Sequence, residues 1–181
     1  PQVRVINLDL LTYAGNRESV DDLDPKRHLF VQGDIGDRAL VKRLLAEHKP
    51  DGIVHFAAES HVDRSIEDPT AFIRTNVLGT QEVLRLATQE QLKAVHFVST
   101  LSVFHTGTDD NGVVFAEDDA LDEVGVPFGG YAQSKWVGEK LIMLAAERDI
   151  PVAIFRPGLV SGDSQTGAWN TADMISTMAT A

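Results

Sequence analysis

The sequence predicts an α/β protein built on an open, doubly wound parallel sheet. Three observations predict it. Five short apolar runs, Val3 to Asp9, His28 to Gln32, Gly52 to Ala58, Ala94 to Val98 and Val152 to Phe155, alternate with segments of helical spacing. Several runs end in residues that suit a ligand: an acid, two alanines, Ser99-Thr100, or Arg156-Pro157-Gly158. In such sheets ligands lie beyond the carboxyl ends of the strands. Finally, Tyr131 and Lys135 stand four apart at the head of a helical pattern, so both project from one face into one space.

Composition narrows the class. The chain has 181 residues, enough for one domain with a real core, and a mean hydropathy of −0.09. No apolar run reaches the length of a membrane span, and the amino terminus has no signal-peptide pattern. A net charge of −11 argues against nucleic acid as a partner. There is no Cys, which excludes disulfides and thiolate chemistry, and a cytoplasmic enzyme is expected. The six His residues show no metal-ligand spacing; His55 and His96 sit within strand runs and are expected to be packed.

Taken in order, the run Val3 to Asp9 closes on an acid. An Asp at that place in a dinucleotide fold accepts from ribose hydroxyls and favours NAD over NADP; a plain strand-ending Asp is the competing reading. His28 to Gln32 ends in Gly33-Asp34-Ile35, with Asp34 or Asp37 available as N-cap of a helix from Arg38 to His48 that Pro50 closes. Gly52 to Ala58 exits through Ala57 and Ala58, small enough for a cofactor to approach the backbone. Pro69 opens a long helix from Thr70 to about Glu90 carrying Thr75 and Asn76. Gly107 to Gly125 is acidic and turn-rich and reads as a solvated loop before the helix of Tyr131. There, an ammonium beside a phenol is expected to lower the Tyr131 pKa and make it a better proton donor.

Strand–Ser99-Thr100, then Tyr131-Ala-Gln-Ser-Lys135, then strand–Arg156-Pro-Gly158 resembles the extended short-chain dehydrogenase/reductase family. The likeness has two parts. Asp9-Leu-Leu-Thr12-Tyr-Ala-Gly-Asn16 and Phe56-Ala-Ala-Glu-Ser-His-Val-Asp-Arg-Ser65 resemble dTDP-glucose 4,6-dehydratases, so residues 1–75 look like that branch. Asn76 to Ala87, Phe97 to Phe104, Tyr131 to Val137 and Arg156 to Thr171 are similar to thioester reductase domains of nonribosomal peptide synthetases and carboxylic acid reductases, so residues 76–181 look like the other.

The resemblance implies a Rossmann-type doubly wound parallel sheet and roles for named residues. Thr100, Tyr131 and Lys135 would be catalytic. NAD or NADP would lie against Asp9, Thr12, Asp34, Ile35, Phe56, Ala57, Ala58, Ser60, Thr75, Tyr131, Lys135, Pro157 and Val160. Asp9 favours NAD, although thioester reductases usually take NADPH. Residues 1–160 would be a partial NAD(P)-binding domain and 161–181 the start of a substrate-binding segment.

Two absences shape the expectation. No Gly-x-Gly-x-x-Gly or Gly-x-x-Gly-x-x-Gly occurs, and the chain opens on what should be the second strand, so the sheet is expected to be incomplete. The first strand is central in the order 3-2-1-4-5-6. Without it the strands at 3–9, 28–32 and 52–56 are expected to lose their neighbour, and the chain to bind NAD(H) poorly and self-associate as a homo-oligomer. In the dehydratases an Asp-Glu pair follows the catalytic Thr; here Leu101-Ser102 follows Thr100. The expected activity is therefore hydride transfer to a thioester or aldehyde carbonyl, on a small-molecule or carrier-protein-bound substrate, with no nucleic-acid or membrane partner. A nucleotide-sugar epimerase or dehydratase, and an inactive fragment or pseudoenzyme, stand as alternatives.

Overall fold

The computed structural model describes residues 3–13, 15–60, 62–89, 94–104, 114–160 and 162–167. It has a Rossmann-type α/β architecture with wholly parallel pairing, in two sheets. In the first, β1 (Val5–Asp9) pairs with β2 (His28–Gln32) over all five residues, from Val5↔His28 to Asp9↔Gln32. In the second, β3 (Gly52–His55), β4 (Ala94–Val98) and β5 (Val152–Phe155) run side by side in that order. Among the described residues no strand joins β1 to β3. The expected interruption is present, with one correction: β2 keeps a full ladder with β1, because it stands one strand away from the break.

Local chemistry sets the element boundaries. Helix α1 (Arg38–His48) is capped by Asp37, whose carboxylate accepts from Leu40 N at 3.0 Å; Asp34 instead closes the preceding turn by accepting from Gly36 N at 2.7 Å. The helix ends at Lys49, in the left-handed region at φ 45°, directly before Pro50. A short helix α2 (Val62–Glu67) is followed by α3 (Pro69–Phe72), with Asp68 as N-cap and Pro69 in the first turn. The expected long helix then forms in three sections. From α3 the chain widens into a π-helical stretch, Ile73–Gly79, before tightening into α4 (Thr80–Gln89). Hydrophobic spacing does not disclose that widening, which accompanies the burial of the polar Asn76 and Thr80. A further short helix, α5 (Leu121–Val124), sits inside the region expected to be loop, held by the fully buried Leu121 against Val103 and Phe104. Helix α6 (Gly130–Ala146) follows Gly129 at φ 88°.

The core forms between the three-stranded sheet and the helices on one of its faces. Val95 and Phe97 of β4 point into it and meet Leu84 and Ala87 of α4 and Ile142 and Ala145 of α6. Of these, Val95, Phe97, Leu84 and Ile142 each contribute about 1.5–3 kcal/mol by leaving water, and the two alanines less. Leu86 faces the other way, onto Val41 and Leu45 of α1, with Leu8 of β1 and Ile53 of β3 packed beside them. That second cluster binds the two sheets into one body where backbone pairing does not. On the opposite face of the three-stranded sheet Val54 and Phe155 remain more than half exposed.

Candidate functional site

Helix α6 carries Tyr131, Lys135 and Glu139 at four-residue intervals, so one face presents a phenol, an ammonium and a carboxylate in a row. Close packing brings that face down onto β4. A Cβ at Gly138 would stand 2.9 Å from Phe97 Cζ and 3.4 Å from the Asn76 carbonyl oxygen, so glycine permits the approach. Lys135 is 4% exposed; its Nζ donates to the Val98 carbonyl at 2.8 Å and lies 5.0 Å from the Phe97 ring centre. Burial lowers its pKa to about 8, with the charge of Glu139 acting in the other direction.

Tyr131 corrects the sequence expectation. Its pKa is raised, because burial penalises the phenolate, and the opposing influence is a hydrogen bond with the Thr100 hydroxyl. The Lys135 ammonium is engaged by the Val98 carbonyl instead. Thr100 in turn donates to Ser102 Oγ at 3.2 Å and accepts from Ser102 N at 3.2 Å. Thr100, Tyr131 and Lys135 thus meet at the carboxyl end of β4, as the strand–helix order predicts. Pro157 joins them, since Ser99 N donates to the Phe155 carbonyl at 2.7 Å and Leu101 N to the Pro157 carbonyl at 3.1 Å, extending the β4–β5 ladder past both strand ends.

A buried polar network supports this centre. The Asn76 carboxamide donates to Ser134 Oγ at 2.8 Å, and Ser134 Oγ donates to the Tyr131 carbonyl at 2.7 Å. Thr80 Oγ1 donates to the Asn76 carbonyl at 2.7 Å and stands 2.9 Å from His55 Nε2. His55 is 3% exposed, and burial together with the charge of Lys135 lowers its pKa to about 4, so the ring is neutral at pH 7. His55 is therefore packed, as expected, and His96 lies against Phe155 with ring centres 5.9 Å apart. The sequence pattern places Asn76 on the long helix without a role, and gives none to Ser134 or Glu139. Glu139 had a signal, its four-residue step from Lys135; the others acquire partners only through the π-helical turn.

The remaining predicted positions spread along the carboxyl ends of both sheets. Asp9 closes β1 and accepts from Leu11 N at 2.7 Å, and Thr12 follows it in an exposed turn. Asp34 and Ile35 follow β2, with Ile35 Cδ1 only 2.6 Å from where a Cβ of Gly79 would stand. Ala57 and Ala58 are half-buried beyond β3, Thr75 lies half-buried on the π-helical turn, and Phe56, Ser60 and Val160 are exposed. Ser99 Oγ is buried at the end of β4 without a hydrogen-bond partner among the described residues. An unpartnered hydroxyl, a buried cation, small residues at a strand exit and an acid at the next sheet's end suit a dinucleotide. Residues 168–181, most of the expected substrate segment, lie outside the described residues. Among the described residues no cluster could hold a metal ion and no helix is long and apolar enough to cross a membrane.

Comparison with known proteins agrees with this geometry. The model of an NAD-binding family described as male sterility protein matches residues 11–181. A dTDP-glucose 4,6-dehydratase of Xanthomonas campestris pv. campestris is 45% identical over 145 residues, which is 77% of this chain and 41% of that protein. The structure of a double mutant of the Streptomyces venezuelae dTDP-glucose 4,6-dehydratase DesIV, with NAD and DAU bound, superposes with a TM-score of 0.81 at 36% identity, over 99% of this chain and 52% of that one. The terminal R domain of the myxalamid PKS-NRPS biosynthetic pathway superposes with a TM-score of 0.71 at 41% identity, over 83% of this chain and 38% of that one. Both resemblances seen in the sequence are borne out. The chain spans about half the length, or less, of these relatives.

Proposed function

Since the chain belongs to the male sterility protein family of NAD-binding domains, within the extended short-chain dehydrogenases/reductases, we propose that it serves a reductase acting on a thioester or aldehyde carbonyl. The observation that carries this reading is the meeting of the Tyr131 and Thr100 hydroxyls beside a buried Lys135. When bound, a nicotinamide dinucleotide supplies the hydride. Asp9, Thr12, Asp34, Ile35, Phe56, Ala57, Ala58, Ser60, Thr75, Pro157 and Val160 would hold it along the strand ends. Tyr131 would hold its proton on the phenol at neutral pH and pass it to a developing alkoxide, although burial makes it a weaker acid than an exposed phenol. Thr100, by turning its hydroxyl proton from Ser102 Oγ, would offer a second donor to the carbonyl oxygen, worth roughly two to three powers of ten in rate. Lys135 supplies positive charge in a region from which water is largely excluded.

Residues 1–160 then act as the cofactor domain and 161–181 as the approach to a substrate segment. The similarity to the terminal R domain supports a carrier-bound thioester as substrate. Absence of Cys supports a cytoplasmic setting. The test is NADH or NADPH oxidation with an acyl-pantetheine thioester, using the chain extended to the length of its relatives. Turnover that Tyr131→Phe abolishes, with cofactor affinity retained, supports the reading; a Tyr131→Phe variant of normal rate sinks it.

A nucleotide-sugar dehydratase is the second reading, favoured by the 45% identity to the Xanthomonas protein. It requires elimination of water, and Leu101 and Ser102 offer no carboxylate beside Thr100. Formation of a 4-keto-6-deoxy sugar with Leu101 and Ser102 in place would reverse the ranking.

A further inference from the structure

Glu139 is completely buried, 0% exposed, and a carboxylate there needs a partner. Arg156, at the exit of β5, provides it: its Nε stands 3.1 Å from each carboxylate oxygen and its Nη2 donates to Oε2 at 2.8 Å. The guanidinium is fixed from two further sides. Its Nη1 donates to the Glu117 carbonyl at 3.0 Å, and its centre lies 4.7 Å over the Phe104 ring. Lys135 sits one turn before Glu139 on the same face of α6, yet its hydrogen bond runs to the Val98 carbonyl. Two cations stand near one buried carboxylate, and the rigid planar fork takes it.

We propose that Arg156 is a positioning residue: by occupying both oxygens of Glu139 it keeps Lys135 from turning back onto that carboxylate and leaves the lysine's charge at the β4 exit. Among the described residues the groups facing Lys135 are few. His55 of β3 is neutral, Tyr131 and Glu139 come from α6, Arg156 just past β5 stands behind Glu139, and β4 offers the Val98 carbonyl and the Phe97 ring. The trio of Lys135, Glu139 and Arg156 therefore keeps one uncompensated positive charge. Its use toward a cofactor or Tyr131 rests on the function proposed above; the arrangement itself does not.

The test is the ionisation of Lys135 in the 181-residue chain, followed by NMR of 13C-labelled lysine and assigned by loss of one resonance in Lys135→Met. The unmodified chain should titrate near 8. Arg156→Gln releases Glu139 to Lys135 and should raise the midpoint by about one unit, whereas Glu139→Gln should lower it by a similar amount. General loosening would raise both, toward the ordinary lysine value. Opposite shifts support the proposal; two rises, or no change in Arg156→Gln, overturn it. Should Arg156→Gln fail to fold, Arg156→Lys keeps the charge without the fork and should give a smaller rise, and a fixed midpoint there overturns the proposal equally. No turnover enters this readout. Opposite shifts together with an inactive full-length enzyme would sink the reductase reading alone.

Discussion

The Asn76 carboxamide pairs with the backbone of Glu59 from both ends: its Oδ1 accepts from Glu59 N at 2.8 Å and its Nδ2 donates to the Glu59 carbonyl at 2.9 Å. A side chain here does what a neighbouring strand would do, satisfying both polar groups of a residue that has left β3. The same Nδ2 also reaches Ser134 on α6, so one buried amide joins the β3 exit to the helix of Tyr131 and Lys135.

Asn76→Ala should therefore destabilise the chain by about 2–4 kcal/mol, because it strands the Glu59 N–H, the Glu59 carbonyl and the Ser134 hydroxyl together. Urea denaturation measures it. A loss below about 0.5 kcal/mol would mean that water replaces the amide at little cost.

Stability should fall as the solution is acidified through the titration of His55. Its folded pKa of about 4 lies below its ordinary 6.5, so between those values the unfolded chain binds the proton and the folded chain does not. The stabilisation is complete above pH 6.5 and is lost on the way down to pH 4, by about 3 kcal/mol in total. His55→Gln, which can still bond Thr80, should flatten this slope. A parallel decline in both proteins would locate the effect elsewhere.

Gly138→Ala should cost about 1–3 kcal/mol, since the new methyl meets the buried Phe97 ring and the Asn76 carbonyl. Phe97→Leu should relieve part of that cost. In a double-mutant cycle the pair should lose less than the two single variants summed. Strict additivity would show that α6 adjusts without pressing on β4.

If the proposed function holds, Asp9 should set the cofactor choice in a chain extended to the length of its relatives. A carboxylate ending β1 repels a 2′-phosphate and accepts from a 2′-hydroxyl, which favours NADH over NADPH by one to three powers of ten in kcat/KM, on the order expected for partly solvated charges. Asp9→Asn should narrow the gap. An NADPH preference with Asp9 in place contradicts this role.

Much of the fold could be read from local pattern. The strands His28–Gln32, Ala94–Val98 and Val152–Phe155 and the helix Arg38–His48 fall where apolar runs, helical spacing and Pro50 place them. These depend on neighbours within one turn or one strand. The same holds for the spacing of Tyr131 and Lys135, which a helix converts into a shared face whatever surrounds it. Burial depends on the whole chain, and there the local pattern runs out. Tyr131 beside Lys135 suggests a lowered phenol pKa, but burial raises it, and the Val98 carbonyl that engages the ammonium comes from β4, 37 residues before Lys135. The pairing of Glu139 with Arg156 joins α6 to the exit of β5, and Asn76 of the π-helical turn and the adjacent Thr80 are buried against partners on α6 and β3. Spacing tells which groups share a face; only packing sets how far water is excluded and which of two nearby partners a buried charge takes.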